Sequence, residues 1–210
     1  MKTFAGLVTL GVAQHTIHLR RQDKLDLLMA NGFSFLADND IPLSDHNEVY
    51  YSGPVKVGGQ PFDVVFDTGS YNLVLEKVGC TNCQGTNYYD PAKSPNSKRI
   101  GTKVVELGYG SADLEAEVWT DDACLANGCA ANYEFYPFIS EQGLDLDGIM
   151  GMGPQHSTLF YTLYQQKSIP EPRFMFALGK VNQVSAITIG GLDPIFFKDI
   201  TNIKWAPLIN

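Results

Sequence analysis

A single carboxylate stands at the point where an apolar stretch of the chain reaches a tight turn. The run 64–66 (Val-Val-Phe) is β-branched or aromatic and predicts a buried strand that ends at Asp67. Gly69 allows the chain to fold back tightly, and the hydroxyls of Thr68 and Ser70 could hold the carboxylate in place. Because such a carboxylate has little water around it, neighbouring groups set its proton affinity. Asp67 is thus a candidate for acid–base chemistry, although the same residues could form a plain turn between two strands.

A tyrosine flanked by glycines forms a second candidate element. Strand-like residues lead into Tyr109, Gly110 and Ser111, and a second strand-like run follows over 114–119. This pattern predicts a β-hairpin with a flexible tip. Alternation along the second strand predicts one face with three apolar side chains, those of Leu114, Ala116 and Val118.

These segments resemble the pepsin-like aspartic proteases. The run 66–73 (Phe-Asp-Thr-Gly-Ser-Tyr-Asn-Leu) is similar to the catalytic loop of that family, and the tip 109–111 (Tyr-Gly-Ser) is similar to its flap. The run 146–151 (Leu-Asp-Gly-Ile-Met-Gly) resembles the segment that threads through the catalytic loop. The resemblance implies an all-β fold, a single lobe with one or two short helices. It also implies a final strand over 203–208, where the N-terminal lobe of the family ends.

The resemblance gives each matched residue an expected role. Asp67 would be the catalytic carboxylate, supported by the loop residues Thr68, Gly69 and Ser70. Substrate would be bound by the flap and by one pocket, which together contain Tyr109, Gly110, Ser111, Val65 and Ile149. In two places the chain departs from the family: Val74 stands where a tryptophan usually supports the flap tyrosine, and Ala112 stands where a glycine usually follows the flap tip.

A larger departure is that the chain has one catalytic loop, because no second Asp-Thr-Gly or Asp-Ser-Gly occurs in it. This chemistry needs two carboxylates, one ionised and one protonated, which together activate a water molecule. The sequence therefore indicates an aspartic endopeptidase of peptide or protein substrates, in which Asp67 pairs with its copy in a homodimer. The alternatives left open are a catalytically inactive peptide-binding or inhibitory lobe, and a fragment of a two-lobed protease.

The N-terminal region differs in character from the rest of the chain. Residues 1–13 combine an early lysine, a short apolar run and small residues, which predicts a signal peptide, with a buried first strand as the alternative. Residues 14–41 resemble a family prosegment, which implies a zymogen, although they could also be an amphipathic segment of the mature fold. Residues 42–210 are expected to form the lobe. The expected localisation is secreted, or lumenal in the secretory or lysosome-like pathway.

The four cysteines form two close pairs, Cys80 with Cys83 and Cys124 with Cys129. On a chain that enters an oxidising compartment, this spacing favours two local disulfides. A four-cysteine zinc site is the alternative, because Cys-x-x-Cys is also a zinc-knuckle spacing.

Composition narrows the classes of partner. Hydrophobic residues make up 44% of the chain and charged residues 18%, which is enough apolar material for a core. The net charge of −8 disfavours nucleic acid and anionic membranes as partners. Beyond the N-terminus, no apolar run reaches the roughly 18 residues that a membrane span needs. The four histidines show no metal-ligand pattern, so no metal and no cofactor is expected.

Overall fold

Strands dominate the part of the chain that the computed structural model describes, namely residues 40–46, 50–110, 112–142, 146–179, 184–196 and 199–207. Ten strands lie in these ranges: β1 (Asp40–His46), β2 (Tyr50–Val57), β3 (Gln60–Asp67), β4 (Leu73–Thr81), β5 (Lys98–Tyr109), β6 (Ala112–Leu125), β7 (Gly128–Gln142), β8 (Gly148–Gly151), β9 (Phe174–Ala177) and β10 (Ser185–Ile189). The expected all-β fold class is confirmed. The proposed signal peptide, nearly all of the prosegment-like region and Ser111 lie outside the described residues.

The strands form one sheet in the order β5-β6-β7-β4-β8-β3-β2-β1-β10-β9, and β6 also pairs with β2. Most neighbours are antiparallel, but β3 pairs with β8 and β4 pairs with β7 in parallel. The predicted hairpin is present, since β5 and β6 pair up to Tyr109 opposite Ala112. Inward-facing positions alternate along β3, where Phe62, Val64 and Phe66 are buried, as expected of a half-buried strand.

Two hydrophobic clusters form the core. The larger one joins β1–β4, β6–β8 and β10 to one α-helix, α1 (Leu159–Gln165). This helix agrees with the expectation of one or two short helices. It begins after Thr158, whose Oγ1 accepts a hydrogen bond from the backbone N–H of Tyr161, and it buries Leu159, Phe160 and Leu163. The smaller cluster lies beneath the β5–β6 hairpin and includes Val74, Leu114 and Ile149.

Two predictions about strands need correction. On β6, Leu114 and Ala116 are buried as predicted, but Glu117 is buried next to them and Val118 is only half-buried. The register between β6 and β7 shifts between Glu115 and Ala116, so the simple alternation stops there. The expected strand over 203–208 is wrong for its described part, 203–207, which has no strand hydrogen bonding.

No helix among the described residues is long and apolar enough to cross a membrane.

A buried polar network joins the end of β6 to the loop that follows β4. The hydroxyl of Tyr89, which has no exposed surface, donates a hydrogen bond to Asp121 Oδ2 at 2.8 Å. Ser94 Oγ donates to the other oxygen of the same carboxylate, also at 2.8 Å. The Tyr89 ring packs edge-on against Phe135 with centroids 4.9 Å apart. This tyrosine therefore contributes both packing and a hydrogen bond to a buried charge.

Replacing Tyr89 with phenylalanine is expected to lower the free energy of unfolding by about 1–3 kcal/mol, because a buried carboxylate oxygen loses its donor. Urea unfolding measures the effect. The matched control is Tyr88→Phe, since that neighbouring side chain is 37% exposed and its change should stay within about 0.5 kcal/mol. Equal losses in the two variants would contradict the role of the hydrogen bond.

Candidate active site

The loop that carries Asp67 is positioned by the short strand β8. Asp67 ends β3 and lies opposite Gly151 in the parallel β3–β8 pair. The other edge of β8 pairs antiparallel with β4, with Leu73 opposite Met150. Residues 68–72 must therefore cross the end of β8 to connect β3 to β4. The segment 146–151 threads between the two strands that carry the loop, as its resemblance implied.

Backbone hydrogen bonds from the end of β8 fix the loop. The N–H groups of three successive residues donate to loop carbonyls: Gly151 to Asn72 at 2.9 Å, Met152 to Asp67 at 2.7 Å, and Gly153 to Ser70 at 2.9 Å. Because these donors lie on a paired strand and its direct continuation, the loop is held on a rigid support.

The Asp67 side chain is half-buried, and its Oδ1 accepts a hydrogen bond from the backbone N–H of Gly69 at 2.8 Å. The two hydroxyls that were expected to hold this carboxylate are arranged differently from that expectation. Thr68 is exposed, and Ser70 Oγ is buried without a hydrogen-bond partner among the described residues. The supporting roles of Thr68 and Ser70 therefore stay predictions, while the Gly69 amide is the donor that the structure places on the carboxylate.

Asp67 opens into a cleft of about 320 Å³ beneath the β5–β6 hairpin. The hairpin side of the cleft is lined by Leu107, Gly108, Tyr109 and Gly110, and the loop side by Asp67 and residues 69–72. The structure thus brings together the carboxylate and the hairpin tip, which are about 40 residues apart in the sequence. Asp67 is the one carboxylate among these lining residues.

Tyr109 is the aromatic side chain of the hairpin tip. Burial raises the pKa of its hydroxyl to about 12, and the negative charge of Asp67 contributes to the same direction. The hydroxyl therefore stays protonated through the acid and neutral range and can donate a hydrogen bond. The ring packs against the smaller core cluster, in which Val74 is fully buried at the position where the family usually has a tryptophan.

The two aliphatic residues expected to line the pocket lie side by side, because Val65 on β3 is opposite Ile149 on β8. Ile149 is 7% exposed and belongs to the cluster against which Tyr109 packs. Val65 is half-buried, and neither residue lines the cleft itself. Their contact with substrate stays a prediction.

An apolar groove that the sequence did not indicate begins at Thr68, next to the carboxylate. Its volume is about 540 Å³. Its lining comes from the turn after β8, from α1 and from the start of β9, and consists of Thr68, Met152, Gly153, Pro154, Gln155, His156, Phe160, Tyr161, Pro172 and Phe174. The loop that carries Asp67 therefore lines both the polar cleft under the hairpin and this apolar groove.

Two buried carboxylates near the loop were also missed. Asp147, directly before β8, accepts hydrogen bonds from the N–H groups of Asp63, Thr86 and Asn87 and from the Asn87 side chain, at 2.7–3.0 Å. Glu76 on β4 accepts through Oε1 from the N–H groups of Gln84 and Gly85. An acid next to apolar residues was the available signal in both cases. The partners of Asp147 lie 60–84 residues away, and those of Glu76 lie 8–9 residues away in an irregular loop, so strand periodicity reveals neither set.

Burial raises the pKa of Glu76, with a smaller contribution in the same direction from the charge of Asp147; the two backbone N–H groups lower it. Folding therefore shifts the equilibrium of the Glu76 carboxyl group toward its protonated form. The stability that protonated Glu76 contributes is fully present below pH 4.5, the ordinary pKa of a glutamate. This contribution is lost as the pH rises through the higher pKa of Glu76 in the folded state.

We expect Glu76→Gln, which keeps an acceptor for the two N–H groups, to reduce the loss of stability between about pH 4 and about pH 7. Urea midpoints at the two pH values measure the change. The control is Glu106→Gln, at an exposed glutamate on β5, which should leave the pH dependence unaltered. A wild-type pH profile retained in Glu76→Gln would contradict the assignment.

Both predicted disulfides are present, Cys80–Cys83 and Cys124–Cys129. The second bridge joins opposite residues of the β6–β7 hairpin. No free cysteine remains among the described residues, so a zinc site of four thiolates does not exist in this oxidised state.

A threaded loop with a half-buried aspartate, a hairpin over its cleft and an all-β core define one lobe of the pepsin-like aspartic protease class. The sequence model described as "Eukaryotic aspartyl protease" matches residues 50–210, and the chain belongs to that family.

Three relatives illustrate the similarity. The chain is 34% identical over 192 residues to a probable vacuolar protease A of Trichophyton verrucosum, a match that covers 82% of this chain and 46% of the relative. It is 29% identical over 182 residues to embryonic pepsinogen of Gallus gallus, covering 80% and 47% respectively. It is 27% identical over 184 residues to cathepsin E of Cavia porcellus, covering 80% and 46%. The chain spans about half the length of these curated relatives.

Proposed function

We propose that this chain is an aspartic endopeptidase lobe, and that it becomes active when a second copy supplies the carboxylate that faces Asp67. The observation that carries the proposal is the cleft under the hairpin, which has the loop geometry of the family but one carboxylate among its lining residues. A second acidic group has to enter from outside the described lobe. A two-fold pairing of identical loops is the simplest arrangement that brings one there.

The chemistry follows from two adjacent carboxyl groups. Like charges so close together cannot both ionise easily, so one carboxyl stays protonated near the working pH. The ionised carboxylate takes a proton from water while the water oxygen attacks the peptide carbonyl carbon, and the protonated carboxyl gives its proton to the carbonyl oxygen. As the C–N bond breaks, the carboxyl that took the water proton gives it to the leaving nitrogen, and the other carboxylate takes a proton from a hydroxyl of the tetrahedral intermediate, so the pair returns to its starting state. Because the pair must share one proton, cleavage is favoured in acid.

An extended peptide is the substrate that fits this cleft. The hairpin presents backbone groups near Gly108 and Gly110, which can pair with an extended chain as an added strand does. Tyr109 can donate a hydrogen bond across the cleft, and the apolar pair Val65 and Ile149 lies close by. We therefore expect cleavage beside large apolar residues.

The apolar groove supports pairing of two lobes. It begins at Thr68, on the same loop as Asp67, so a partner seated in it would lie next to the carboxylate. Phe174 on β9 lines it, and β9 ends the strand order of the sheet. A sheet edge beside apolar surface is a feature that association covers.

The N-terminal assignments belong to this proposal as well. A signal peptide over 1–13 and a prosegment over 14–41 would place a zymogen in a secretory or lysosome-like compartment, and the two disulfides suit such an oxidising environment. The lobe would begin at 42, close to the start of β1 at Asp40.

The test is peptide cleavage in acid over a wide range of protein concentration, with Asp67→Asn as the blank. A rate that rises with the square of concentration, and then becomes linear as pairs saturate, is the expected result. A rate that is linear throughout would overturn the requirement for two copies. No cleavage at any concentration would favour one of the two alternatives. The chain would then be a peptide-binding lobe without activity, or a fragment of a two-lobed protease that needs its second lobe.

A further inference from the structure

We propose that Glu76, Cys80, Cys83 and Glu141 form a zinc-binding site once the Cys80–Cys83 disulfide is reduced. The site is separate from the cleft of Asp67 and does not depend on proteolysis. It would hold a divalent cation through two thiolates and two carboxylates.

The geometry already brings these groups together. One carboxylate oxygen of Glu76, one of Glu141 and the sulfur of Cys83 all lie within 4.8 Å of one another. Cys80 Sγ is bonded to Cys83 Sγ, so a second sulfur lies directly beside this group of three. The four residues come from β4, from the segment that follows it and from β7.

A buried oxygen of Glu76 points to a ligand. Its side chain has no exposed surface, and only Oε1 receives the N–H groups of Gln84 and Gly85. Oε2 has no hydrogen-bond partner among the described residues. An unpartnered buried carboxylate oxygen is costly, and either a proton or a cation removes the cost. Glu141, 1% exposed, places a second carboxylate beside it, which favours a cation further.

An acidic depression gives a cation access to this place. A cleft of about 630 Å³ reaches Glu141 from the part of the hairpin next to its tip, and its lining includes Glu106, Asp113 and Glu115 but no lysine or arginine. Clefts lined by one sign of charge concentrate the opposite ion.

The ligand types favour zinc, and binding requires that the disulfide is reduced. Zinc takes thiolate and carboxylate ligands in a tetrahedral set, and the Cys-x-x-Cys spacing allows both sulfurs to bind one ion. The disulfide offers no thiolate. A dithiol reductant supplies two electrons and two protons, breaking the S–S bond to give two thiols and becoming a disulfide itself. Zinc binding then releases the two thiol protons, together with any proton held on the glutamates.

Cobalt(II) is the probe for the experiment, because thiolate ligands give it an intense near-ultraviolet charge-transfer band and tetrahedral geometry gives visible bands. The 210-residue chain is titrated with cobalt in the oxidised and the reduced state, and zinc is then added to displace the cobalt. We expect reduced protein to bind one cobalt with both sets of bands, and oxidised protein to show no charge-transfer band. Equal binding by the oxidised protein, or no band after reduction, would overturn the proposal.

Variants distinguish metal binding by the folded four-ligand site from metal binding by the two thiols alone. Glu76→Gln is expected to weaken cobalt binding by about tenfold or more, because a neutral amide is a poor ligand. The matched control is Glu134→Gln on the same strand as Glu141, which should leave the affinity unchanged. Binding that is insensitive to Glu76→Gln would show that an unfolded Cys-x-x-Cys segment takes the metal, which contradicts the four-ligand site. Cys124→Ser, at the other bridge, should keep the charge-transfer band, and its loss there would contradict the assignment of the sulfurs.

Discussion

An excess of Asp67→Asn chains is expected to suppress cleavage by wild-type chains. With about a ninefold excess and free exchange between pairs, cleavage per wild-type chain should fall to about one tenth, because random pairing leaves few pairs with two carboxylates. Asp67→Asn alone should lower kcat/KM by at least about 10²–10⁴-fold, since the pair loses the group that takes the proton from water.

The Asp67→Asn variant is expected to suppress the wild-type chain because it can pair but cannot catalyse. Asparagine has nearly the shape of aspartate and can still accept the hydrogen bond from the Gly69 N–H, so the loop and the pairing surface should be retained. The variant therefore occupies a partner without giving it a usable carboxyl group. A mixed pair has one acid, which cannot both take a proton and give one in the same step.

The measurement is the rate of peptide cleavage in acid at a protein concentration where wild-type chains are paired. The control replaces the variant by the same excess of wild-type chain, which should leave cleavage per chain unchanged. If the variant has no effect on its wild-type neighbours, the active unit contains one copy, and the two-fold proposal fails. If Asp67→Asn itself cleaves the peptide at the wild-type rate, the assignment of Asp67 fails as well.

Local pattern was enough to predict the parts of the site that lie within one short segment. The strand ending at Asp67, the turn at Gly69 and the hairpin around Tyr109 each depend on residues a few positions apart. The same holds for both disulfides, whose cysteines are three and five residues apart. In such segments, side-chain periodicity and turn chemistry determine the backbone before any distant contact forms.

Features that depend on distant partners could not be predicted in this way. Asp147 is buried because it accepts N–H groups 60–84 residues away, which no periodicity reveals. Glu117 breaks the alternation of β6 because it binds Lys77 and Arg99, at 3.2 Å and 3.0 Å. The segment 203–207 has a strand-like composition, but a strand exists only where another strand pairs with it. Trp205 in that segment is 72% exposed.

A single added methyl group at Gly151 is expected to destabilise the lobe by about 3 kcal/mol or more. A Cβ at this position would lie 2.4 Å from the carbonyl carbon of Tyr71 and 2.6 Å from the backbone nitrogen of Asn72. Both atoms belong to the backbone of the loop that carries Asp67, so no side-chain rotation can relieve the contact. The hydrogen bond from the Gly151 N–H to the Asn72 carbonyl, at 2.9 Å, further limits separation of the two segments.

Urea unfolding of Gly151→Ala measures the loss, and Gly191→Ala is the matched control. Nothing lies within 4 Å of a Cβ added at Gly191, so that variant should stay within about 0.5 kcal/mol of wild type. A loss of about 3 kcal/mol is a large share of the roughly 5–15 kcal/mol that stabilises an ordinary domain. A Gly151→Ala variant as stable as the control would mean that the loop does not cross β8 as closely as described.

The same substitution connects stability to the proposed chemistry. Gly151 lies opposite Asp67 in the β3–β8 pair, so a shift that makes room for the methyl group also moves the carboxylate. A displacement of about 1 Å can cost about 10²-fold in rate even when the protein is folded. We therefore expect Gly151→Ala, assayed in the cold where enough of it is folded, to cleave far less peptide per folded chain than Gly191→Ala. Equal rates per folded chain would show that the position of Asp67 does not depend on the crossing over β8.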